Sequence, residues 1–159
     1  MKQHGFSLWM KAITVACAVL GLCLCFLLAP MLIDDLTTTY EELENMFYPG
    51  ILFVWVTAIP FFAALAEVWL ICGEIGRDNS FCVKNALRLR NLSGICALEC
   101  VLYMIGIVLL LVKGVSVSWL FLFFLFIIFI CVSAAVGCAM LSHLVRKAAD
   151  LRQDSELTI

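Results

Sequence analysis

Two carboxyl side chains lie inside strongly apolar stretches of this sequence. Glu67 is the only acid in residues 51–72, and Glu99 is the only acid in residues 93–112. An ionised carboxylate near the middle of a bilayer costs roughly 2.5–3.5 kcal/mol, so each residue needs a structural or chemical reason. If the two side chains meet, one must hold a proton, because two adjacent carboxylates in a low dielectric do not both ionise cheaply. The chemistry that this pair could support is reversible proton binding.

The surroundings of the two acids leave two interpretations open. Both lie about 8–9 Å into their apolar stretches, counted at 1.5 Å per residue from the polar segment between them. Tyr103 lies one turn from Glu99 on the same helix face, and His143 is near the same boundary in the fourth stretch. The candidate polar site therefore comprises Glu67, Glu99, Tyr103 and His143. It is either a proton-linked or ligand-binding site, or a hydrogen-bonded strut that fixes helix packing.

The elements that carry these residues follow from composition and length. The chain has 159 residues, of which 65% are hydrophobic and 14% charged, and one soluble domain could not bury that much apolar surface. A spanning helix needs about 20 apolar residues, and four stretches reach that length. The prediction is an all-α integral membrane protein, a four-helix bundle in a single domain, residues 1–159. Its predicted parts are spans 12–33, 51–72, 93–112 and 119–144, outer loops 34–50 and 113–118, inner loop 73–92 and tail 145–159.

The distribution of cations predicts the orientation of the helices. Lys and Arg in short loops are retained in the cytoplasm, and a cytoplasmic N-terminus puts nine of the ten cations on the inner side. The first outer loop, 34–50, then holds five acids and no Lys or Arg. Both termini are therefore predicted to be cytoplasmic. The apolar core of the first helix is too long for a cleaved signal peptide, so we expect it to remain as a span.

The nine cysteines do not resemble a disulfide framework, because none lies in either predicted outer loop. The sequence contains no C-x-x-C, although Cys96 and Cys100 share a helix face and could form a metal or redox pair. The simpler interpretation is that these small residues pack between helices. Small residues four apart in the fourth span, Ser133 with Gly137 and Ala134 with Cys138, predict an inward-facing surface there.

The predicted inner loop and the tail together form a small platform of mixed charge, with seven cations and five acids. Asn79 or Ser80 could cap a helix that starts at Phe81 and continues into the third span. Such a helix would be amphipathic at its start, suited either to anionic lipid headgroups or to a cytoplasmic protein. The candidate surface consists of Arg77, Phe81, Lys84, Arg88, Arg90, Arg146 and Lys147.

The usual motifs of membrane enzymes are missing from the sequence. It has no H-E-x-x-H, no G-x-S-x-G, no phosphate-binding loop and only two His. We therefore expect no enzymatic activity, no catalytic, metal or cofactor-binding residues, and no direct nucleic-acid contact. Two functions stay open: an interaction protein that presents the basic surface to a partner, and a small dimeric proton-coupled transporter that uses Glu67 or Glu99.

Short motifs around the inner loop and at the C-terminus support a family resemblance. The motif residues are Ile75, Gly76, Phe81, Asn85, Leu87, Arg88, Leu89 and Arg90, followed by Leu151, Glu156, Leu157, Thr158 and Ile159. With the four-span layout, they resemble the YoaS-like family, domain of unknown function 2975. The segment "GRDNSF" departs from the tighter turn expected there. The resemblance implies a bacterial inner-membrane protein without established activity, often encoded beside a small helix-turn-helix regulator, which would be a partner.

Overall fold

The protein is almost entirely helical in the computed structural model, which describes residues 2–76, 82–115 and 117–157, apart from the side chains of 2–4, 6 and 152–157. Five α-helices and two short helical segments follow one another, and these described ranges contain no strand. The elements are α1 (Lys2–Cys23), a π segment (Leu24–Leu28), α2 (Ala29–Thr39), a 3-10 segment (Glu41–Met46), α3 (Phe47–Ile75), α4 (Val83–Val112) and α5 (Ser118–Leu157).

Four helical stretches are long and apolar enough to cross a membrane. They are Ser7–Thr39, Glu41–Ile75, Val83–Val112 and Ser118–Leu151. The all-α prediction with four spans is confirmed. Residues 12–33, 51–72, 93–112 and 119–144 each lie within one stretch. The direction in which the helices cross the bilayer stays a prediction. We call the end with both termini and the α3–α4 connection the terminal end, and the other end the opposite end.

The segment predicted as the first outer loop, 34–50, is largely helical. The last turn of α2 is stabilised by side-chain hydroxyl groups, because Thr37 and Thr38 each donate a hydrogen bond to the Asp34 carbonyl over 3.0 Å. The helix therefore extends past the apolar stretch to Thr39 before α3 begins at Phe47. Polar composition suggested a loop, but a helix satisfies its own backbone in water as well as in lipid.

The two connections at the opposite end pack on each other and form a small apolar cap. Leu43, Val115 and Val117 are 5%, 4% and 5% exposed and form one buried cluster. The indole N–H of Trp119 donates to the Tyr40 hydroxyl over 3.3 Å. The turn between α4 and α5 passes through Gly114, whose φ of 76° favours glycine. The α2–α3 and α4–α5 connections are thereby joined.

The first long helix passes through Pro30 without ending. Proline lacks an N–H, and its ring would clash with the carbonyl four residues earlier in a regular α-helix. Directly before it, the Ala29 N–H bonds to the Leu24 carbonyl, five residues back, which widens the helix by one residue. The π segment therefore lets α1 and α2 form one continuous span.

Backbone contacts between the long helices follow chain order. In the described ranges, α1 and α2 contact α3, α3 contacts α4, and α4 contacts α5, whereas α1 contacts neither α4 nor α5. The α4–α5 interface is the most extensive. The accessible surface is 10889 Å², against about 8,000 Å² for a compact soluble chain of this mass. The rings of Phe53 on α3 and Phe124 on α5 also stack on each other, and the surface outside these contacts leaves broad apolar faces for lipid.

Candidate functional site

A repeating set of side-chain hydrogen bonds joins α4 to α5. Each bond runs from a small side chain to a backbone carbonyl of the facing helix, and successive bonds lie seven residues apart on both helices. The bonds are Ser142 Oγ to the Ala86 carbonyl at 2.6 Å, Ser93 Oγ to the Ala135 carbonyl at 2.8 Å, and Cys100 Sγ to the Ile128 carbonyl at 3.9 Å. A seven-residue repeat keeps the same faces in contact along two antiparallel helices. We call these three bonds the α4–α5 ladder.

The prediction that Ser133 and Gly137 form an inward face is wrong. Ser133 is exposed and donates to the Phe129 carbonyl of its own helix over 2.9 Å. A Cβ atom at Gly137 would meet nothing within 4 Å. The contact face of α5 instead follows the seven-residue repeat.

The α4–α5 ladder determines where the predicted basic residues lie. Its first bond pairs Ala86 with Ser142, so the first turns of α4 lie beside the last turns of α5. Four exposed cations therefore share the terminal end, and we call them the basic surface: Lys84, Arg90, Arg146 and Lys147. Arg88 is half-buried at this end, and its Nη1 has no hydrogen-bond partner.

Several predicted features of this end differ from the structure or lie outside it. The α4 helix begins at Val83, and Cys82 occupies the N-cap position with an extended backbone. The backbone N–H groups of Asn85 and Ala86 bond to the Cys82 carbonyl at 3.1 and 3.2 Å. Arg77 and Phe81 of the predicted surface, and the predicted caps Asn79 and Ser80, lie outside the described residues.

Glu67 is held by a residue that sequence analysis missed. The Asn91 side-chain amide donates to Glu67 Oε1 over 3.1 Å, joining α3 to α4. Asn91 follows Arg90 in a polar stretch and precedes Glu99 by eight residues. An amide about two helical turns from an acid in an apolar stretch was the signal that the sequence offered. No hydrogen bond joins Glu67 to Glu99 among the described residues, and the shared proton between these acids stays a prediction.

Glu99 has a different environment on α4. Its side chain is half-buried, and its Oε2 is buried without a hydrogen-bond partner. An acceptor oxygen in this position can bind a proton or a donor that reaches it.

Tyr103 belongs to an aromatic cluster that joins three helices. Its ring lies 5.6 Å from Phe53 of α3 and 5.3 Å from Phe124 of α5, edge to face in both cases. Its hydroxyl is hydrogen-bonded to the Thr57 side chain. Gly106, one turn away, leaves the space that Phe53 and Phe124 fill. Tyr103 therefore has a packing role that is separate from the carboxyl groups.

His143 is exposed on α5, next to Ser142 of the ladder. In the described ranges, no group of three or more His, Cys, Asp or Glu side chains is arranged to hold a metal ion.

Contacts between α1 and α3 complete the terminal end. Ser7 Oγ donates to the Cys72 carbonyl over 2.7 Å. Gly76 lies against this bond, since a Cβ atom there would come within 2.7 Å of Ser7 Oγ. The Lys11 ammonium lies 5.3 Å from the centre of the Trp69 ring. These contacts hold the start of α1 on the end of α3.

Comparison with known proteins matches the chain to one family and one relative. The family described as "Protein of unknown function (DUF2975)" matches residues 31–159. The "Uncharacterized membrane protein YoaS" of Bacillus subtilis (strain 168) is 23% identical over 155 residues, covering 96% of this chain and 97% of the relative. No solved structure gives a significant match.

Proposed function

Because the chain belongs to the DUF2975 family, whose function is unknown, we propose its role from its own geometry. The protein is a multi-pass protein of the bacterial cell membrane that binds a soluble partner at the basic surface. This end faces the cytoplasm in the orientation that the cation distribution favours. The membrane helices hold the surface in place, and binding brings the partner to the bilayer.

The observation that carries this proposal is the α4–α5 register. The ladder fixes the start of α4 against the end of α5, so Lys84 and Arg90 share one end with Arg146 and Lys147. Like charges on a rigid pair of helices keep their spacing when a partner binds. Such a patch speeds encounter with an acidic surface and orients it, more than it adds affinity.

The partner that fits is a cytoplasmic protein with an acidic face. A small helix-turn-helix regulator, which the family resemblance implies, is the first to test. Its DNA-binding side is positively charged by necessity. It would therefore dock through another face, and membrane attachment would control its access to DNA.

Co-purification tests the proposal. Intact protein in lipid nanodiscs is used to capture candidate regulators, and the variant carries Lys84→Glu, Arg90→Glu, Arg146→Glu and Lys147→Glu. We expect partner recovery to fall at least tenfold. Lys113→Glu is the matched control, because Lys113 is also exposed but ends α4 at the opposite end.

Two results distinguish the occupants of the basic surface. Unchanged recovery of the partner by the fourfold variant, with normal insertion into the membrane, contradicts the proposal. Loss of retained anionic lipid in native mass spectrometry, with partner recovery unchanged, assigns the surface to headgroups instead.

A second candidate function rests on Glu99. Its unpartnered buried Oε2 lies within a span, as a proton-binding carboxyl of a small dimeric transporter would. In vesicles, substrate-driven proton movement would be lost in Glu99→Gln and kept in Glu44→Gln, an exposed acid outside the apolar stretches. Proton movement that survives Glu67→Gln and Glu99→Gln together eliminates this function.

A further inference from the structure

Arg88 is a charged residue of α4 with an unpaired donor inside the protein. Its side chain is half-buried, and its Nη1 atom is enclosed without a hydrogen-bond partner. Enclosing a charged donor in this way is costly, because the group loses its hydration and no acceptor replaces the water. The position of Arg88 therefore calls for an acceptor that the described residues do not provide.

The register of the helices shows what Arg88 faces. It lies about five helical turns before Gly106, so the two residues share one side of α4. A Cβ atom at Gly106 would contact Phe53 of α3 and Phe124 of α5, which means that this side of α4 is turned toward those two helices. Aromatic rings fill the space beside Gly106. Near the terminal end, the same side of α4 carries a cation.

The acids of α3 do not neutralise this cation. The bond from Asn91 to Glu67 Oε1, 3.1 Å long, sets the register between α3 and α4. By that register, Glu67 lies about one turn from the level of Arg88 toward the opposite end, and Glu74 lies about one turn from it in the other direction. Neither carboxylate accepts a hydrogen bond from Arg88 Nη1.

The depth of Arg88 matches the phosphate layer of a bilayer. The apolar stretch of α4 begins at residue 93, and Arg88 lies about 7.5 Å before it at 1.5 Å per residue. The headgroup layer on each side of the hydrocarbon core is roughly 5–8 Å thick. Helical side chains lean toward the N-terminus of their helix, which here is away from the hydrocarbon core. The guanidinium group therefore lies where lipid phosphates are found.

We infer that Arg88 binds the phosphate group of an anionic phospholipid at the terminal end. A guanidinium group is planar and permanently charged, and its N–H groups form a fork that fits two phosphate oxygens. Lys84 lies one turn earlier on α4 and is exposed, so it adds a second positive charge near the phosphate. The acyl chains of the lipid would lie along the apolar faces of the helices. Arg88 is outside the basic surface, so this inference and the proposed protein partner can hold or fail separately.

Lipid retention tests the inference. Full-length protein is purified in an alkyl maltoside, whose headgroup has neither phosphate nor charge, and phosphatidylglycerol is added stepwise. Native mass spectrometry then gives the Kd of the first bound lipid. We expect Arg88→Gln to raise this Kd about tenfold or more, as the loss of a charge-assisted hydrogen bond implies.

Arg90→Gln is the matched control, because it removes the same charge from an exposed position two residues later on α4. It should raise the Kd by less than about twofold, as a rim charge does. Equal effects of the two variants would mean that the lipid responds only to general surface charge, and would overturn the inference.

Thermal unfolding separates a bound lipid from a role within the chain. Without phosphatidylglycerol, Arg88→Gln should unfold at the temperature of the unchanged protein or above it, because it removes an enclosed charge that has no acceptor. With the lipid, the unchanged protein should gain more stability than the variant, because a ligand stabilises the state that binds it. A variant that is less stable by the same amount in both conditions would assign Arg88 to helix packing and overturn the inference.

Glycerol 3-phosphate distinguishes a lipid from a soluble phosphate compound. It offers the same phosphate group without acyl chains. In excess, it should leave the bound phosphatidylglycerol in place, because the apolar chains contribute to lipid binding. Displacement of the lipid by glycerol 3-phosphate from the unchanged protein, but not from Arg88→Gln, would assign the site to a soluble ligand and refute the lipid.

Discussion

The two halves of this protein are held together in different ways. Between α4 and α5, small side chains bond to facing carbonyls at three levels, seven residues apart. Between the first long helix and α3, the side-chain hydrogen bond is at one end, from Ser7 to the Cys72 carbonyl, with Lys11 over the Trp69 ring nearby. Further along, the contact is aromatic packing such as Phe26 of the π segment on Trp55. Lipid chains are as apolar as these rings, so aromatic packing alone specifies helix position weakly. The α4–α5 half is therefore the rigid part, and α1 with its π segment is the adaptable part.

The largest expected loss of stability follows from a substitution at Gly106, where the two halves meet. A Cβ atom at Gly106 would lie 2.8 Å from Phe53 and 3.0 Å from Phe124, and these rings are stacked with centroids 5.6 Å apart. Because neither ring can move freely, Gly106→Leu should lower the free energy of unfolding by about 1–3 kcal/mol. Thermal unfolding in detergent measures the loss. Gly137→Leu is the control, since a Cβ atom there meets nothing within 4 Å. Equal stability of both variants would show that the halves are not joined at Gly106.

A smaller effect tests the rigidity of the α4–α5 half. The double variant Ser93→Ala with Ser142→Ala removes two bonds of the ladder. Interhelical hydrogen bonds in membranes contribute about 0.6 kcal/mol each on average, so a loss of about 1 kcal/mol is expected. Hydrogen exchange at the start of α4 should also increase. Ser133→Ala removes a bond within α5 and should change neither measurement. If it matches the double variant, the ladder does not explain the rigidity.

The smallest effect tests the adaptability of the α1–α3 half. A Cβ atom at Gly21 would lie 2.6 Å from the Phe61 ring, closer than any contact at Gly106. Phe61 is 41% exposed and can rotate toward lipid. The gain of about 0.5–1 kcal/mol from replacing a helical glycine then offsets the contact. Gly21→Ala should therefore leave the unfolding temperature close to that of the unchanged protein, whereas Gly94→Ala, where a Cβ atom meets nothing within 4 Å, should raise it. A marked loss would mean that α1 is held as tightly as α5.

Sequence analysis predicted the features that depend on one helix at a time. The four spans follow from apolar length, and Glu67 and Glu99 were conspicuous because acids are costly in lipid. The features that depend on the register between two helices were missed. Ser93, Cys100 and Ser142 are ordinary small residues whose alignment is visible only when α4 lies beside α5. Asn91 was missed for the same reason, since its partner Glu67 is 24 residues away on another helix.

The packing of the apolar cap at the opposite end was also missed, because the hydrophobic pattern of the sequence gives no sign of it. Residues 34–50 appear polar, yet Leu43 is buried there against Val115 and Val117 from a connection more than 70 residues later. A single apolar residue among acids carries no periodic signal. Only the fold shows that this residue completes a contact.

The cap around Leu43 has a mechanical consequence. It holds the α2–α3 and α4–α5 connections together, so the helices that leave them are tied to each other at the opposite end. The long helices extend about 45 Å from the cap at 1.5 Å per residue, and the Asn91–Glu67 hydrogen bond ties α3 to α4 again near the terminal end. Relative tilting of the two halves is therefore restricted near both ends of the molecule.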